Sequence, residues 1–450
     1  MSDTQRLWIK NPLASLDPSY AGGIVIEGGV IVQLLSEGEQ PKRWDACFDA
    51  REHVVLPGLI NAHHHFYQTL TRAFPSALNK PLFAWLKSLY PVWAKLGEEM
   101  VEVSTQIALA ELLLSGCTTA SDHHYLFPKG LEQAIDIQVE QGQKLGMRVH
   151  LTRGSMSLGE DQGGLPPQST VQSEQVILAD SERLIKRYHQ RGAGATVQIA
   201  LAPCSPFSVS EGLMRDTAAL AEQFDVRLHT HLAETEDETA FCLQMFGDRP
   251  LDYLDRVGWL SDRVWLAHGI HFTPEEIVRL GAAGTGVSHC PSSNMLLASG
   301  ICPALALERA GVPLGLGVDG SASNDGSNMI QEVRQAFLIQ RLKYPASEIT
   351  HQKVIEWGTK GSARCLGRED IGAIAVGKQA DLALFKLDEL RFSGAGDPLA
   401  ALILCGASAA DRVMVGGKWR VEDGALVDFE LEALIARQRT LAAKLAQAAC

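Results

Sequence analysis

The sequence has no pair of cysteines in a C-x-x-C spacing, and no apolar run approaches the ~18 residues that a membrane-spanning helix needs. Its nine cysteines are scattered over 450 residues. This spacing argues against a thiolate zinc ribbon and thioredoxin-type redox chemistry, and is typical of reduced, buried thiols. The segment Met1–Lys10 is polar and has no signal-peptide apolar region, so we expect a cytoplasmic protein without a membrane anchor.

The sequence also has fewer basic than acidic residues. The chain carries 40 Lys and Arg against 53 Asp and Glu, which gives a net charge of −13. That balance argues against nucleic acid or an anionic membrane surface as a partner and favours a small-molecule ligand. Hydrophobic residues at 46% and charged residues at 21% are normal for a globular chain, so global disorder is excluded.

A regular alternation of strand-like and helix-like segments runs through the middle of the chain. It follows a strand-rich beginning with a hairpin at Gly28-Gly29. Helical spacing is clear in Glu102–Leu114, Glu211–Phe224 and Pro274–Leu280. Strands that alternate with helices predict a parallel sheet, and eight such units predict a (β/α)8 barrel. The eight strand-like segments are Val54–His63, Cys117–His123, Met147–Gly154, Thr196–Pro203, Val226–Glu234, Val264–Gly269, Gly286–Pro291 and Val312–Gly320.

The alternation stops near Cys365. Beyond it, the glycine-punctuated segment Gly372–Phe385 predicts a pair of strands. Two more strands are predicted at Arg412–Val415 and Lys418–Val421, joined by two glycines. The alanine- and leucine-rich tail from Glu430 predicts a terminal helix.

Side chains that carry chemistry stand at the ends of the predicted barrel strands. His63 and His65 close the first segment, and because alternate residues of a strand share a face, both can bind one ion while His64 points away. His231 in the fifth segment supplies a third imidazole, and Asp319 in the eighth supplies a carboxylate. Barrel enzymes place their active sites at the carboxyl ends of the strands. These residues therefore predict a site for zinc or another divalent ion.

Two further groups belong to the same end of the predicted barrel. Glu234 lies three residues after His231 and can approach a metal without ligating it, and His268 ends the sixth segment. Any one of these histidines alone would be as consistent with a core residue, but the joint pattern favours function. A structural role remains open for other histidines, namely His64, His123, His124, His271 and His289.

The motifs Pro57–His65, His231–Glu234, His268, Asp319 and Gly377–Asp381 together resemble the amidohydrolase superfamily, and the resemblance covers essentially the whole chain. The matching clade contains S-adenosylhomocysteine, guanine and 8-oxoguanine deaminases and triazine hydrolases, and the His289–Asn294 segment followed by Ser299-Gly300 resembles it as well. The resemblance implies an α/β fold, a (β/α)8 TIM-type barrel with a small discontinuous β-sandwich from both chain termini. We expect the sandwich over 1–58 and 366–427, the metal-dependent barrel over 59–365 and a C-terminal helix over 428–450.

The resemblance also implies roles for individual residues. His63, His65, His231 and Asp319 would ligate one divalent ion per subunit, Zn²⁺ first, with Fe²⁺ or Mn²⁺ as alternatives. The catalytic residues would be Glu234 as the proton shuttle, His268 orienting the attacking water, and Asp319 as the proton acceptor. The fourth segment, Thr196–Pro203, has no lysine to act as a carboxylated bridging ligand, which favours one metal over two.

The substrate is an amino-purine if the resemblance extends to the pocket. Residues Pro203–Ser208, together with His63–Arg72, look most like the 8-oxoguanine deaminases, whereas the Arg-Phe-Ser element of typical guanine deaminases is missing. The implied reaction is hydrolytic deamination of 8-oxoguanine to urate and ammonia. Guanine, S-adenosylhomocysteine, isocytosine or an amino- or hydroxy-triazine are the alternative substrates, and a non-catalytic barrel is the alternative of a different class.

Three residues are candidate substrate contacts, and each also has a structural interpretation. Gln68 could read a ring edge or lie on a helix surface, Arg153 could bind a carbonyl or form an ion pair, and Cys204 could line the pocket or the core. The aromatic residues of the stretch 83–93 could form a lid or part of the core. The resemblance suggests a homo-oligomer.

Overall fold

The computed structural model describes residues 5–448, so Met1–Thr4 of the polar N-terminal segment and the ninth cysteine, Cys450, lie outside the described residues. The strands are β1 Leu7–Lys10, β2 Ala14–Ser15, β3 Gly23–Glu27, β4 Val30–Leu35, β5 Ala46–Asp49, β6 His53–Pro57, β7 Leu59–Asn61, β8 Cys117–His124, β9 Arg148–Ser155, β10 Val197–Pro203, β11 Leu228–Leu232, β12 Val264–His268, β13 Gly286–His289, β14 Leu314–Leu316, β15 Leu382–Lys386, β16 Arg412–Val415, β17 Lys418–Glu422 and β18 Ala425–Leu426. The helices are α1 Leu82–Trp93, α2 Glu98–Leu114, α3 Ala134–Leu145, α4 Glu174–Tyr188, α5 Glu211–Phe224, α6 Glu236–Phe246, α7 Pro250–Arg256, α8 Pro274–Ala283, α9 Pro291–Leu296, α10 Ala304–Arg309, α11 Met329–Gln340, α12 His351–Glu356, α13 Ser362–Cys365, α14 Pro398–Ala401 and α15 Leu431–Ala448.

Eight parallel strands form the central barrel. Strands β7 to β14 lie side by side in chain order, with helices between them along the chain. The first and last strands come together where the Ala62 amide donates to the Leu316 carbonyl at 2.9 Å and the Val318 amide donates to Asn61 Oδ1 at 2.9 Å. The predicted (β/α)8 barrel is confirmed, and all eight of its strands come from the predicted segments.

The outer helices begin and end where the sequence signals them. In α5, the Ser210 hydroxyl accepts a hydrogen bond from the Leu213 amide at the first turn, and the helix ends at Asp225 in a left-handed conformation. Leu213, Thr217 and Ala221, spaced four residues apart, are buried along one face. Helices α2 and α8 are longer than predicted by four residues at the start and three at the end, respectively, where acidic residues and alanines extend them.

Two smaller sheets combine both ends of the chain. One has the order β4-β3-β1-β5, and the other has the order β18-β17-β16-β15-β6-β2. In the second, β6 from the N-terminal part pairs antiparallel with β15 from the C-terminal part, with Val55 opposite Leu384. The facing apolar side chains of the two sheets, including Ile9, Ile24 and Ile31 of the first, form one buried cluster between them. The predicted β-sandwich from both termini is therefore present.

Two local strand predictions were wrong. The predicted single strand Val54–His63 is divided at Gly58, because β6 leaves the barrel to pair with β15 and only β7 enters the barrel sheet. A Cβ at Gly58 would lie 2.2 Å from the Thr118 hydroxyl, so the close passage of the chain requires glycine. The predicted strand pair in Gly372–Phe385 is one strand, β15, preceded by a loop with a single bridge to Val30.

Within residues 5–448, no helix is both long and apolar enough to cross a membrane. The eight cysteines in that range are all free, and six of them are buried, as their scattered positions indicate.

A buried ion pair joins the barrel to the six-stranded sheet. Arg148 at the start of β9 binds Asp381 through two nitrogens, at 2.7 and 3.1 Å, and both side chains are almost completely buried. Asp381 also accepts a hydrogen bond from the Gly416 amide at 2.7 Å, and its carbonyl accepts one from the Gly58 amide at 2.8 Å. Asp381 therefore holds together the barrel entry, strand β9 and the turn between β16 and β17.

We expect Asp381→Asn to lower the free energy of unfolding by about 3–5 kcal/mol, because it leaves a buried guanidinium without its counter-charge. Urea titration followed by far-ultraviolet circular dichroism measures the change. The matched control is Asp255→Asn, which removes a solvent-exposed partner of Arg279 and should cost less than about 1 kcal/mol. Equal losses in both variants would contradict the structural role of the buried pair.

Candidate active site

Four side chains converge at the carboxyl ends of three barrel strands. His63 and His65 follow β7, His231 lies in β11, and Asp319 follows β14. The Nε2 atoms of His65 and His231 are 3.2 Å apart, and Asp319 Oδ1 lies 3.3 Å from the Nε2 atoms of both His63 and His65. All four residues are buried. The structure thus brings together the four predicted metal ligands.

Hydrogen bonds at the Nδ1 atoms of His65 and His231 fix the directions in which their Nε2 atoms point. His65 Nδ1 donates to the His123 carbonyl at 2.7 Å, and His231 Nδ1 donates to the Cys204 carbonyl at 2.6 Å. A carbonyl can only accept, so each Nδ1 carries the proton and each Nε2 keeps its lone pair. Burial lowers the pKa of all three imidazoles, that of His231 to about 3, which keeps them neutral.

The spacing of these atoms fits a tetrahedral metal ion. Ligands held about 2.0–2.1 Å from zinc at tetrahedral angles lie about 3.3–3.4 Å from one another. The distances observed here, 3.2 and 3.3 Å, are close to that value. His63 Nε2 is moreover a buried nitrogen without a hydrogen-bond partner among the described residues. Three converging lone pairs and a carboxylate oxygen are a donor set for a divalent cation.

Glu234 provides a proton-carrying group beside these ligands. Its Oε2 atom lies 3.4 Å from His268 Nε2, and its buried Oε1 atom has no hydrogen-bond partner among the described residues. Burial, and then the charges of Asp319 and Glu238, raise the pKa of Glu234 well above its usual value. Asp319 has the opposite character, because its contacts with the imidazoles outweigh burial and hold its pKa well below the usual value. The surroundings of the site therefore shift the pKa values of its two carboxyl groups in opposite directions.

The backbone around the strand ends is held in an uncommon conformation. Ala233, His268 and Asp319 all have positive φ angles, of 54°, 74° and 63°. For residues other than glycine this conformation costs roughly 1–2 kcal/mol each. Part of the compensation comes from Glu238, whose carboxylate accepts hydrogen bonds from the amides of Ala233 and Glu234, both at 3.0 Å. The turn aims the Glu234 side chain into the site.

A cavity opens onto three of the four ligands, His65, His231 and Asp319, and onto Glu234. Helix α1 supplies one apolar wall, and polar groups reach the cavity from several loops. The lining consists of His65, Gln68, Leu82, Trp85, Leu86, Tyr90, Tyr125, Cys204, Phe207, His231, Glu234, His268, Leu297, Asp319 and Ser323.

The three candidate substrate contacts lie in different places. Gln68 and Cys204 both line the cavity. Gln68 is almost completely buried, not on a helix surface, and its Oε1 accepts from the Ala322 amide at 3.2 Å. Arg153 lies outside the lining, because its guanidinium donates to Asp180 at 2.7 Å in the helix layer and stacks on the Phe127 ring at 3.7 Å. The structure therefore gives Arg153 the ion pair that was its alternative interpretation.

The aromatic stretch 83–93 divides between the two roles considered for it. Trp85 and Tyr90 line the cavity from α1. Trp93, by contrast, is fully buried against Tyr67 and belongs to the core. Phe83 contacts Phe207, another lining residue, at 5.1 Å between ring centres.

Sequence reasoning missed several supporting residues. His229 lies 2.8 Å from His63 through its Nε2 atom, and Asn294 lies 3.0 Å from His268 Nδ1. Glu238 holds the backbone of Glu234, as described above. The spacing of His229 two residues before His231 could have indicated the role of His229, since alternate residues of a strand face the same side. No local pattern pointed to the contact of Asn294, which depends on how α9 is folded over the mouth.

Comparison with known proteins places the chain in a family. The model of the amidohydrolase family matches residues 54–420. The chain is 67% identical over 444 residues to 8-oxoguanine deaminase of Pseudomonas aeruginosa, and the matched region covers 98% of this chain and 99% of that protein. It is 39% identical over 378 residues to hydroxydechloroatrazine ethylaminohydrolase of Pseudomonas sp. strain ADP, covering 81% and 78%. The chain belongs to the amidohydrolase family, and the resemblance noted in its sequence is confirmed.

Solved structures give the same result. Atrazine chlorohydrolase from Arthrobacter aurescens, complexed with zinc, superposes with a TM-score of 0.92 at 32% identity and covers 97% of this chain and 100% of that one. An adenosine deaminase from Xanthomonas campestris with bound zinc has a TM-score of 0.86 at 29% identity, with 98% of each chain covered. Both relatives contain zinc, as the ligand geometry of this chain leads one to expect.

We expect His231→Ala to weaken zinc binding by more than ~100-fold. The loss of a residue that only supports a ligand already lowers metal affinity about 10–100-fold, and His231→Ala removes a ligand itself. Competition with a chromophoric chelator measures the zinc dissociation constant. His189→Gln, a partly buried histidine that faces the Ile199 backbone, is the control and should bind zinc like the wild type. Unchanged affinity in His231→Ala would remove His231 from the ligand set.

Proposed function

We propose that this chain is a metal-dependent aminohydrolase that converts 8-oxoguanine and water into urate and ammonia. The observation that carries the substrate is the 67% identity, over 98% of the chain, to an 8-oxoguanine deaminase. The observation that carries the reaction type is a buried glutamic acid beside three histidines and an aspartate that fit one divalent ion. A cavity at this site, lined in part by the aromatic residues Trp85, Tyr90 and Tyr125, supports the same conclusion.

The metal in this proposal is one Zn²⁺ per chain, with Fe²⁺ or Mn²⁺ as alternatives, held by His63, His65, His231 and Asp319. When bound, such an ion supplies Lewis-acid chemistry and lowers the pKa of a coordinated water towards neutrality. Zinc in two structural relatives supports this identity.

The residues of the chain divide the proton transfers between them. Asp319, ionised, accepts the proton of the attacking water, and Glu234, protonated, donates to the ring nitrogen next to the carbon under attack. His268 Nε2, 3.4 Å from Glu234, orients the water by a hydrogen bond. Asp319 then passes its proton to the amino group, the carbon–nitrogen bond breaks and the nitrogen leaves as ammonia. The remaining hydroxyl proton goes to Glu234 as the carbonyl forms, and the proton on the ring nitrogen stays in the product. Gln68 and Cys204 line the cavity and are the substrate contacts we propose.

The organisation of the chain beyond the site is proposed on the same basis. The composite sandwich would span 1–58 and 366–427, the barrel 59–365, and the terminal helix 428–450. Homo-oligomeric assembly and a cytoplasmic location stay predictions from the sequence.

The substrate is tested by measuring ammonia release from a panel of 8-oxoguanine, guanine, isocytosine, S-adenosylhomocysteine and a hydroxytriazine. We expect 8-oxoguanine to rank first in kcat/KM. The hydroxydechloroatrazine ethylaminohydrolase relative makes the triazine the main competitor. A higher kcat/KM for any other compound would contradict the assignment of 8-oxoguanine and leave the reaction type in place.

The role of Glu234 is tested by Glu234→Gln. The amide keeps the shape of the side chain but cannot transfer a proton, so kcat should fall by about 10²–10⁴-fold. Zinc affinity should stay unchanged, since Glu234 is not among the proposed ligands. Glu236→Gln, two residues on and solvent-exposed, is the control and should keep the wild-type kcat. A near-normal kcat in Glu234→Gln would exclude Glu234 as the proton donor.

A further inference from the structure

His229 is a buried histidine behind the proposed metal ligands. It lies on β11, two residues before His231, and is completely buried. Its Nδ1 atom is 2.7 Å from the Trp265 carbonyl, and its ring stacks on the Trp265 indole with 4.3 Å between ring centres and 12° between planes. Its Nε2 atom is 2.8 Å from His63 Nδ1. Both ring nitrogens of His229 are thus used inside the barrel.

The Trp265 carbonyl decides where the protons lie along this chain of contacts. A carbonyl only accepts, so His229 Nδ1 carries a proton and His229 Nε2 offers a lone pair. His63 Nδ1 then has to be the donor of the 2.8 Å hydrogen bond. His63 Nε2 is left with its lone pair, 3.3 Å from Asp319 Oδ1.

No backbone carbonyl within residues 5–448 accepts a hydrogen bond from His63 Nδ1, so His63 depends on a side-chain partner. The Nδ1 atoms of His65 and His231 donate to backbone carbonyls, and for His63 the imidazole of His229 stands in the place of a carbonyl. His229 is itself held firmly, since the Trp265 indole N–H donates to the Ala62 carbonyl at 3.0 Å. Ala62 directly precedes His63, so these contacts run from His63 through His229 and Trp265 back to the residue next to His63.

We infer that His229 is a positioning residue for the metal centre: it accepts the Nδ1 proton of His63, fixes the tautomer of that ring and aims its Nε2 lone pair at the ion. This inference rests on the ligand role proposed for His63. Outer residues of this kind change metal affinity by about 10–100-fold when they are removed.

A competing interpretation of the same residues is a second cation site. His63, His123 and His229 each offer a ring nitrogen within 4.8 Å of the others. The 2.8 Å contact between His63 and His229 favours a shared proton over a shared ion, because two lone pairs at that distance would repel. The two interpretations differ in the number of zinc ions bound per chain.

The test compares substitutions of His229 by zinc affinity and by spectroscopy. His229→Phe keeps a ring against Trp265 but removes the acceptor, so zinc affinity should fall ~10–100-fold. His229→Gln places an amide oxygen where Nε2 stood and should restore most of the affinity, whereas the shorter His229→Asn cannot reach His63 and should not. The Gln and Asn pair keeps the test valid if the Phe variant does not fold. Visible absorption of the cobalt-substituted proteins should change in the Phe and Asn variants only.

His150→Phe is the matched control, because it is also a buried histidine beside Trp265, with 5.3 Å between ring centres, and has no hydrogen bond to a proposed ligand. It should bind zinc like the wild type. Equal affinity in all His229 variants, or two zinc ions per wild-type chain, would overturn the inference. Failure of the wild type itself to bind zinc would instead refute the proposed function, so the two failures are distinguishable.

Discussion

The structure of this site depends on one constraint: three imidazoles must present lone pairs to a single point inside a barrel mouth. The rings of His65 and His231 meet it by donating their Nδ1 protons to carbonyls at the ends of neighbouring strands. Each of those carbonyls belongs to a barrel strand or the residue that follows it, so the register of the sheet and the orientation of the ligands are coupled. A barrel closed in a different register would lose these acceptors.

The strand ends show how the fold meets this constraint. His268 and Asp319 take left-handed backbone conformations that are uncommon for residues other than glycine, and both line the cavity. The same burial that lowers the pKa of the histidines raises that of Glu234, whereas the imidazole contacts of Asp319 lower the pKa of that carboxyl. Separate tuning of two carboxyl groups within one cavity is what acid–base catalysis of a deamination requires.

Much of this arrangement was predictable because it follows from alternation. The placement of His63, His65, His231 and Asp319 at the carboxyl ends of barrel strands follows from the alternation of strands and helices and from barrel topology. The position of Arg153 could not be predicted, since the sequence does not say which face of β9 it occupies. Its ion pair with Asp180 depends on the packing of α4. The division of Val54–His63 at Gly58 was likewise hidden, because the partner of β6 is β15, far along the chain.

The most direct test of the account is removal and return of the metal. The protein is stripped with a chelator, zinc is added back in steps, and the initial rate of ammonia release from 8-oxoguanine is plotted against bound zinc. The account predicts a rate near zero without metal and a linear rise that ends at one zinc ion per chain. Undiminished ammonia release by metal-free protein, or a rise that continues to two ions, would contradict it.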